Sequence, residues 1–272
     1  MLLSIEGEEK SGKTTLAYTA PLPIVGFSFD LGTDRAINGA KYDEWFKGLK
    51  IERVPYDAGT WDGNDITVYD LPWPIQLNPN LSSGFRELWS YFIKLYVKAV
   101  MDKAVSTIVI DTMTICRRVA VAAYLQGLQE DNIAKGERTR KQLLPKEYGH
   151  PNDNIRSVYD AAKTMDKDLV ALHHLTDEYK PFLKANGEMD EMITGNRILE
   201  GLAGTYRTIS TAVRSERVGT KFTTKIVLCG DSPSIEGMVI QDCSWDKVAE
   251  LISGSLSGRI QIQRRGQEAA VK

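Results

Sequence analysis

The chain has little of what would place it in several large protein classes. Its 272 residues include three cysteines, Cys116, Cys229 and Cys243, far apart and with no CxxC pair. That spacing excludes a disulfide framework and a thiolate zinc site, and it fits a reducing cytosol. An excess of one charge is also lacking, since 34 basic and 36 acidic residues leave a formal net charge of −2. Such a surface can hold nucleic acid only on a local basic patch. No apolar run approaches the roughly 18 residues of a membrane span. Met1 to Ile5 has no basic stretch of a signal peptide and reads as a strand. No internal repeat is visible.

A glycine loop flanked by apolar runs is present from the start. Residues 2–5 are apolar and lead into Gly7-Glu8-Glu9-Lys10-Ser11-Gly12-Lys13-Thr14, which meets the pattern G-x-x-x-x-G-K-[ST]. Lys13 to Thr19 then reads as a helix stopped by Pro21 and Pro23, and Ile24 to Phe29 as a second strand. Strand, glycine loop, helix, strand is a βαβ unit and implies a parallel sheet. The two glycines let the loop curl so that its N–H groups face phosphate oxygens. In that setting Lys13 is expected to reach the β- and γ-phosphates, Thr14 to hold magnesium and Thr15 to meet the α-phosphate. Glu8 and Glu9 are expected to face solvent. The pattern therefore calls for a nucleoside triphosphate, ATP by first expectation, with Mg2+.

A second acid belongs with that loop. Thr107-Ile108-Val109-Ile110-Asp111 is a strand apolar on both faces that ends in a carboxylate suited to the magnesium shell beside Thr14. No glutamate follows it, so a water-orienting carboxylate is sought at the end of the second strand, in Asp30 or Asp34. The alternative for Asp34 is a helix cap. Leu169 to His174 is another buried strand, and its alternation allows only one of His173 and His174 to face the nucleotide. His173 is the preferred sensor, the other reading being one core histidine and one exposed.

The rest of the chain reads more coarsely. Residues 41–81 form a loop-rich excursion with strands at Ile51–Val54 and Ile66–Tyr69. Ser82 or Ser83 can cap a helix running to about Ala104, with Phe85, Leu88, Trp89, Phe92, Tyr96 and Ala99 on one apolar stripe. Helices are expected at 112–134, from Asn152 or Asp153 to Met165, and at Trp245–Ile252. Thr176 to Thr194 reads as a polar mobile loop, and 205–213 and 222–229 as late strands. Residues 1–252 are taken as one ATPase core, and 253–272, with Arg259, Arg264 and Arg265, as a flexible polar and basic tail. Lys135, Arg138, Arg140, Lys141 and Lys146, followed by Tyr148 and His150, make an internal basic stretch. Cations beside aromatics suit a single strand, although a charge run is more often a solvated face.

The loop GEEKSGKTT, the strand TIVID followed by Thr112, and LVALHHL followed by a polar loop stand in the order seen in the RecA-like ATPase core. With Glu147-Tyr148-Gly149 and Asn152 added, the chain resembles phage-encoded, core-only RecA-like proteins, a group that includes AAA-type ATPases and ATP-dependent single-strand annealing proteins. The resemblance spans about residues 1–230. It implies an α/β fold of the RecA-like P-loop type, a twisted, mostly parallel sheet with helices on both faces. It also implies ATP hydrolysis with Mg2+, single-stranded DNA at the loops 135–146 and 176–194, and a homo-oligomeric ring or filament. A single-strand binding protein is a further implied partner. A neighbouring subunit would supply a cation, with Arg207, Arg214 and Lys225 as candidates. RecA carries a glutamate soon after its second strand, where this chain has Asp30, Gly32 and Asp34, and it carries extra duplex-binding domains that this length does not accommodate. Annealing is therefore favoured over strand invasion. The competing readings are a small-molecule P-loop kinase, with Arg138 and Arg140 on a lid, and an accessory motor ATPase of replication or packaging.

Overall fold

The fold was taken from a computed structural model, which describes residues 1–38, 43–55, 61–184, 189–202, 204–219 and 221–256. Nine of its strands join one sheet. In chain order these are β1 (Leu2–Glu6), β2 (Ile24–Ser28), β3 (Ile51–Val54), β4 (Ile66–Asp70), β5 (Thr107–Asp111), β6 (Asp168–His173), β9 (Thr211–Val218), β10 (Lys221–Cys229) and β11 (Val239–Gln241). The remaining two, β7 (Leu175–Leu183) and β8 (Met189–Leu199), pair only with each other as an antiparallel hairpin. The sheet order is β11-β10-β9-β1-β6-β5-β2-β4-β3. Every pairing from β9 to β3 is parallel, while β10 runs antiparallel to both β9 and β11. The α/β class and the mostly parallel sheet expected from sequence are thus observed.

Two apolar clusters lie on opposite faces of this sheet, and strand alternation assigns residues to them. Leu2, Phe27, Ile108, Ile110, Leu169 and Ala171 belong to one cluster. Leu3, Ile5, Ile24, Val109, Val170 and Leu172 belong to the other. The first face is covered by α4 (Phe85–Met101), α5 (Met113–Ala134) and α6 (Gly149–Thr164), and the second by α1 (Lys13–Ala17) and α8 (Trp245–Leu256). Three shorter helices, α2 (Thr33–Asn38), α3 (Asp43–Phe46) and α7 (Thr205–Thr208), join loops to the sheet. Central parallel strands buried on both faces must be apolar throughout, which is why TIVID and LVAL read so plainly. No described helix is long and apolar enough to cross a membrane.

Several expectations need correction. The stretch read as a loop from Thr176 to Thr194 instead supplies most of β7 and the first half of β8, residues 185–188 lying outside the described residues. Neither strand has a buried residue among those described, β8 being exposed almost throughout and β7 from Tyr179 to Phe182, with Tyr179, Met189, Met192 and Ile193 facing solvent, so no buried face imposed a readable alternation. Residues 205–208 are helical, and the late strand begins at Thr211. Neither Ser82 nor Ser83 caps α4. Gly84 does so in a left-handed conformation, and the Gln126 side chain of α5 accepts the N–H groups of Phe85 and Arg86. Helix α6 starts at Gly149 after a 3-10 turn at Pro145–Tyr148, and Asn152 accepts from Arg117 rather than capping. Ser253 to Leu256 continue helix α8 rather than opening a tail. Residues 257–272, with Arg259, Arg264 and Arg265, lie outside the described residues.

Candidate nucleotide site

The site forms at the carboxyl ends of the central parallel strands, where crevices open in sheets of this type. The phosphate loop leaves β1 between its neighbours β6 and β9, and β6 separates β1 from the acid-bearing β5. A cleft of ≈ 480 Å³ lies there. It is lined by the loop from Glu9 to Thr15, by Asp30 at the end of β2, by Asp111 and Thr112, by His174, and by Arg217 and Phe222 of the β9–β10 hairpin.

Close packing explains both loop glycines. A Cβ on Gly7 would lie 2.3 Å from the Ser215 carbonyl oxygen and 2.7 Å from Ser11 Oγ. At Gly12 the backbone is left-handed, with φ of 88°, and a Cβ would meet the Phe222 ring at 2.9 Å. Lys10 also has positive φ, 60°, which helps the loop curl. Lys13 is buried, and its Nζ donates to the Gly7 and Glu8 carbonyls at 2.8 and 2.6 Å. Burial lowers the Lys13 pKa, and Asp111, Asp30, Glu8 and Glu9 oppose that shift. The ammonium is thus held inside the loop among acids.

Asp111 is wholly buried, and neither carboxylate oxygen has a hydrogen-bond partner among the described residues. Burial, reinforced by Asp30, pushes its pKa up to about 7, while the Thr14 hydroxyl and Lys13 act the other way. An orphaned buried acid facing a polar cleft is costly unless something cationic completes it. The described residues contain no group of three His, Cys, Asp or Glu side chains able to cage a metal. Magnesium bound by one carboxylate draws its other oxygens from substrate phosphates and water, and the pair of Asp111 and the Thr14 hydroxyl fits that donor set.

The two histidines divide in the opposite sense to the one expected. His173 is buried in the core, with Nδ1 2.9 Å from Ser4 Oγ and Nε2 3.3 Å from Tyr159 Oη. Burial pushes its pKa down to about 3. His173 shares strand parity with Leu169 and Ala171, on the face of α4, α5 and α6, whereas α1 lies on the other face. It is His174 that lines the cleft, half-buried, with its pKa lowered by burial and by Lys13. Its backbone N–H donates to Thr114 Oγ1, and its carbonyl accepts from Glu200 N, at the base of the β7–β8 hairpin.

Other expected site residues are scattered. Asp30 reaches the cleft and accepts the Gly32 N–H. Asp34 is not in the cleft lining: it lies in the first turn of α2 and pairs with Arg53, which also holds Asp70 of β4, and among the described residues it makes no capping hydrogen bond. Glu8 and Glu9 are exposed as expected, and Glu8 pairs with Arg197 of the hairpin at 3.0 Å. Thr15 lines the cleft, but its hydroxyl donates to the Ala36 carbonyl. Arg214 is not a free cation, since it holds the buried Glu6 carboxylate through Nε and Nη2 at 2.9 and 2.8 Å. Lys225 lies with Arg214 and Glu216 in a separate hollow, and Arg207 is exposed on α7. In the basic stretch Arg140 is paired with Glu147, Leu143 is buried, and Lys135, Arg138, Lys141 and Lys146 are exposed, all outside the cleft lining. Arg217 and Phe222 were not anticipated. The signal for them is tertiary: the parallel register of Glu6 with Arg214 carries the following residues back over the phosphate loop.

No protein-family model matches the chain, and no curated protein matches it. Among solved structures, the crystal structure of the RadB recombinase aligns with 88% of this chain and 85% of that chain, at a TM-score of 0.45 and 11% sequence identity. A likeness at that level carries no argument about activity.

Proposed function

We propose that this protein is a RecA-like ATPase that binds and hydrolyses ATP with Mg2+ and acts on single-stranded DNA in recombination or strand annealing. One observation carries the nucleotide part. Two buried, unpartnered Asp111 oxygens lie in the same cleft as Lys13 and Thr14 of a glycine-curled loop. Loop amides and Lys13 would hold the triphosphate, and Asp111 with Thr14 would hold the metal. The metal would supply charge neutralisation on the phosphate oxygens. Asp30 is the acid best situated to orient water, and His174 is situated to connect the cleft with the hairpin that follows.

The DNA part rests on charge. Lys135, Arg138, Lys141 and Lys146 leave an exposed cationic stretch, with Tyr148 and His150 close in sequence and His150 stacked on Tyr124. The β7–β8 hairpin is less suited to phosphates, since Asp177, Glu178, Asp190 and Glu191 offset Lys180, Lys184 and Arg197. A homo-oligomer, ring or filament, is part of this reading. The test is ATP hydrolysis with and without single-stranded DNA, together with DNA retention across a salt series. Stimulation, with binding that weakens steeply as salt rises, supports the reading. A flat rate with no DNA retained at low salt removes the DNA role and leaves the ATPase.

A further inference from the structure

The β9–β10 hairpin carries a cation to the chain's own phosphate loop. Ser215 of β9 donates its hydroxyl to the Ser11 carbonyl at 2.7 Å, and its own carbonyl approaches Gly7 too closely for any side chain there. Across the turn, the Phe222 ring closes over Gly12. The Arg217 guanidinium lies 5.5 Å from the centre of that ring, a cation–π distance, and its Nε donates to the Gly219 carbonyl at 2.8 Å. Arg217 and Phe222 both line the cleft with Lys13, Thr14 and Asp111. Among the described residues no carboxylate pairs with Arg217, whereas Arg214, three residues earlier, is held by Glu6. One arginine of the strand is therefore structural, and the other stands at the cleft with no ion-pair partner among the described residues.

We propose that Arg217 is a polyphosphate-binding residue acting in cis, held over the loop by Phe222 as its positioning residue. This rests on the nucleotide reading above and deepens it, because it moves a cation expected from a neighbouring subunit onto the same chain. Guanidinium suits the task, since its planar donors bridge two phosphate oxygens and it stays charged on an aromatic face. The hairpin meets the loop at both of its glycines, Ser215 at Gly7 and Phe222 at Gly12.

The test uses full-length wild type, Arg217→Ala, Arg217→Lys, Phe222→Ala and Phe222→Tyr, with affinities for Mg·ATP and for inorganic triphosphate measured by calorimetry. Arg217→Ala should weaken both ligands in parallel, by about tenfold or more, the scale of one lost charge-assisted contact. Arg217→Lys should recover part of that loss, Phe222→Ala should show a smaller parallel loss, and Phe222→Tyr should stay near wild type. Equimolar Arg217→Ala and Lys13→Ala should regain no turnover when mixed, because neither chain then has a complete site. Turnover regained on mixing would mean that Arg217 serves a neighbour's nucleotide, and would overturn the proposal. A loss for ATP with none for triphosphate would put the hairpin on the base and overturn it equally, as would unchanged affinity for both. Wild type that binds neither ligand would instead overturn the ATPase reading itself.

Discussion

Arg197, on the exposed β7–β8 hairpin, lies 3.0 Å from the Glu8 carboxylate in the phosphate loop. The same guanidinium bonds Asp177 and the Leu175 carbonyl. The loop that would hold the triphosphate is thus tied to the element that would feel its arrival. Ion pairs this exposed contribute at most ~1 kcal/mol, so Arg197→Ala should leave global stability nearly unchanged. It should, however, uncouple the two elements. Limited proteolysis within the hairpin should respond to Mg·ATP in wild type and not in the variant. An equal response in both would show that the contact is incidental.

Lys13→Ala should weaken ATP binding by about tenfold or more, because it deletes the buried ammonium among the loop carbonyls. The variant also leaves buried Asp111 without that nearby cation, so some loss of stability should accompany the loss of binding while the fold is retained. Near-ultraviolet circular dichroism checks the fold, and fluorescent-nucleotide titration checks the binding.

Asp111→Asn gives a pH-dependent stability effect whose sign follows from burial. The folded carboxyl has its pKa raised to about 7 from 3.8, so between those values the native state holds a proton that the unfolded chain lacks. Stability from this group is present below pH 3.8 and is lost as pH rises through 7. Without ligand, the variant should therefore melt higher than wild type at pH 8, by roughly 2–4 °C per ~1 kcal/mol recovered. The gap should narrow as pH falls through 7 and close only near the unfolded value of 3.8. With Mg·ATP at pH 8 the order should reverse, since only the wild-type carboxylate gains a cation. Identical melting curves without ligand at both pH values would contradict the burial argument.

The histidine pair should separate by phenotype. His173→Ala leaves Ser4 and Tyr159 without a partner in the core and should cost about 2 kcal/mol or more. His173 also gives wild type an acid-sensitive term. Its pKa is about 3 folded against 6.5 unfolded, so stability falls as pH drops from 6.5 toward 3, while the unfolded chain alone takes up the proton. His173→Gln should flatten that limb in urea titrations. His174→Ala should leave stability nearly unchanged and lower turnover. If His174→Ala unfolds the protein and His173→Ala spares it, the assignment is reversed.

What the sequence makes legible here is what local chemistry dictates. Glycines at positions 7 and 12, an apolar run on either side and Asp111 after a doubly buried strand need no tertiary knowledge to be read. The histidine assignment did need it. Alternation separates His173 from His174, but which of them faces the nucleotide depends on the side of the sheet that α1 covers, and α1 packs with the face of Val170 and Leu172. The β7–β8 hairpin was hidden for a different reason. With neither strand buried on a face, polar and apolar residues follow no period, and only the hydrogen bonding between β7 and β8 reveals it. Asp34 looked catalytic from its nearness to Asp30, yet Arg53, nineteen residues away, takes it for an ion pair. Arg217 and Phe222 lie about two hundred residues from the loop they cover, so their place at the site follows only from the pairing of β9 with β1.

The central claim is that Lys13 and Asp111 serve one Mg–nucleotide complex, and Mg-dependent ATP hydrolysis by wild type, Lys13→Ala and Asp111→Asn tests it most directly. Turnover that requires magnesium in wild type, is abolished in Lys13→Ala and falls in Asp111→Asn while binding of metal-free ATP persists is the expected result. Turnover in which Lys13→Ala matches wild type, or magnesium dependence untouched by Asp111→Asn, would contradict it.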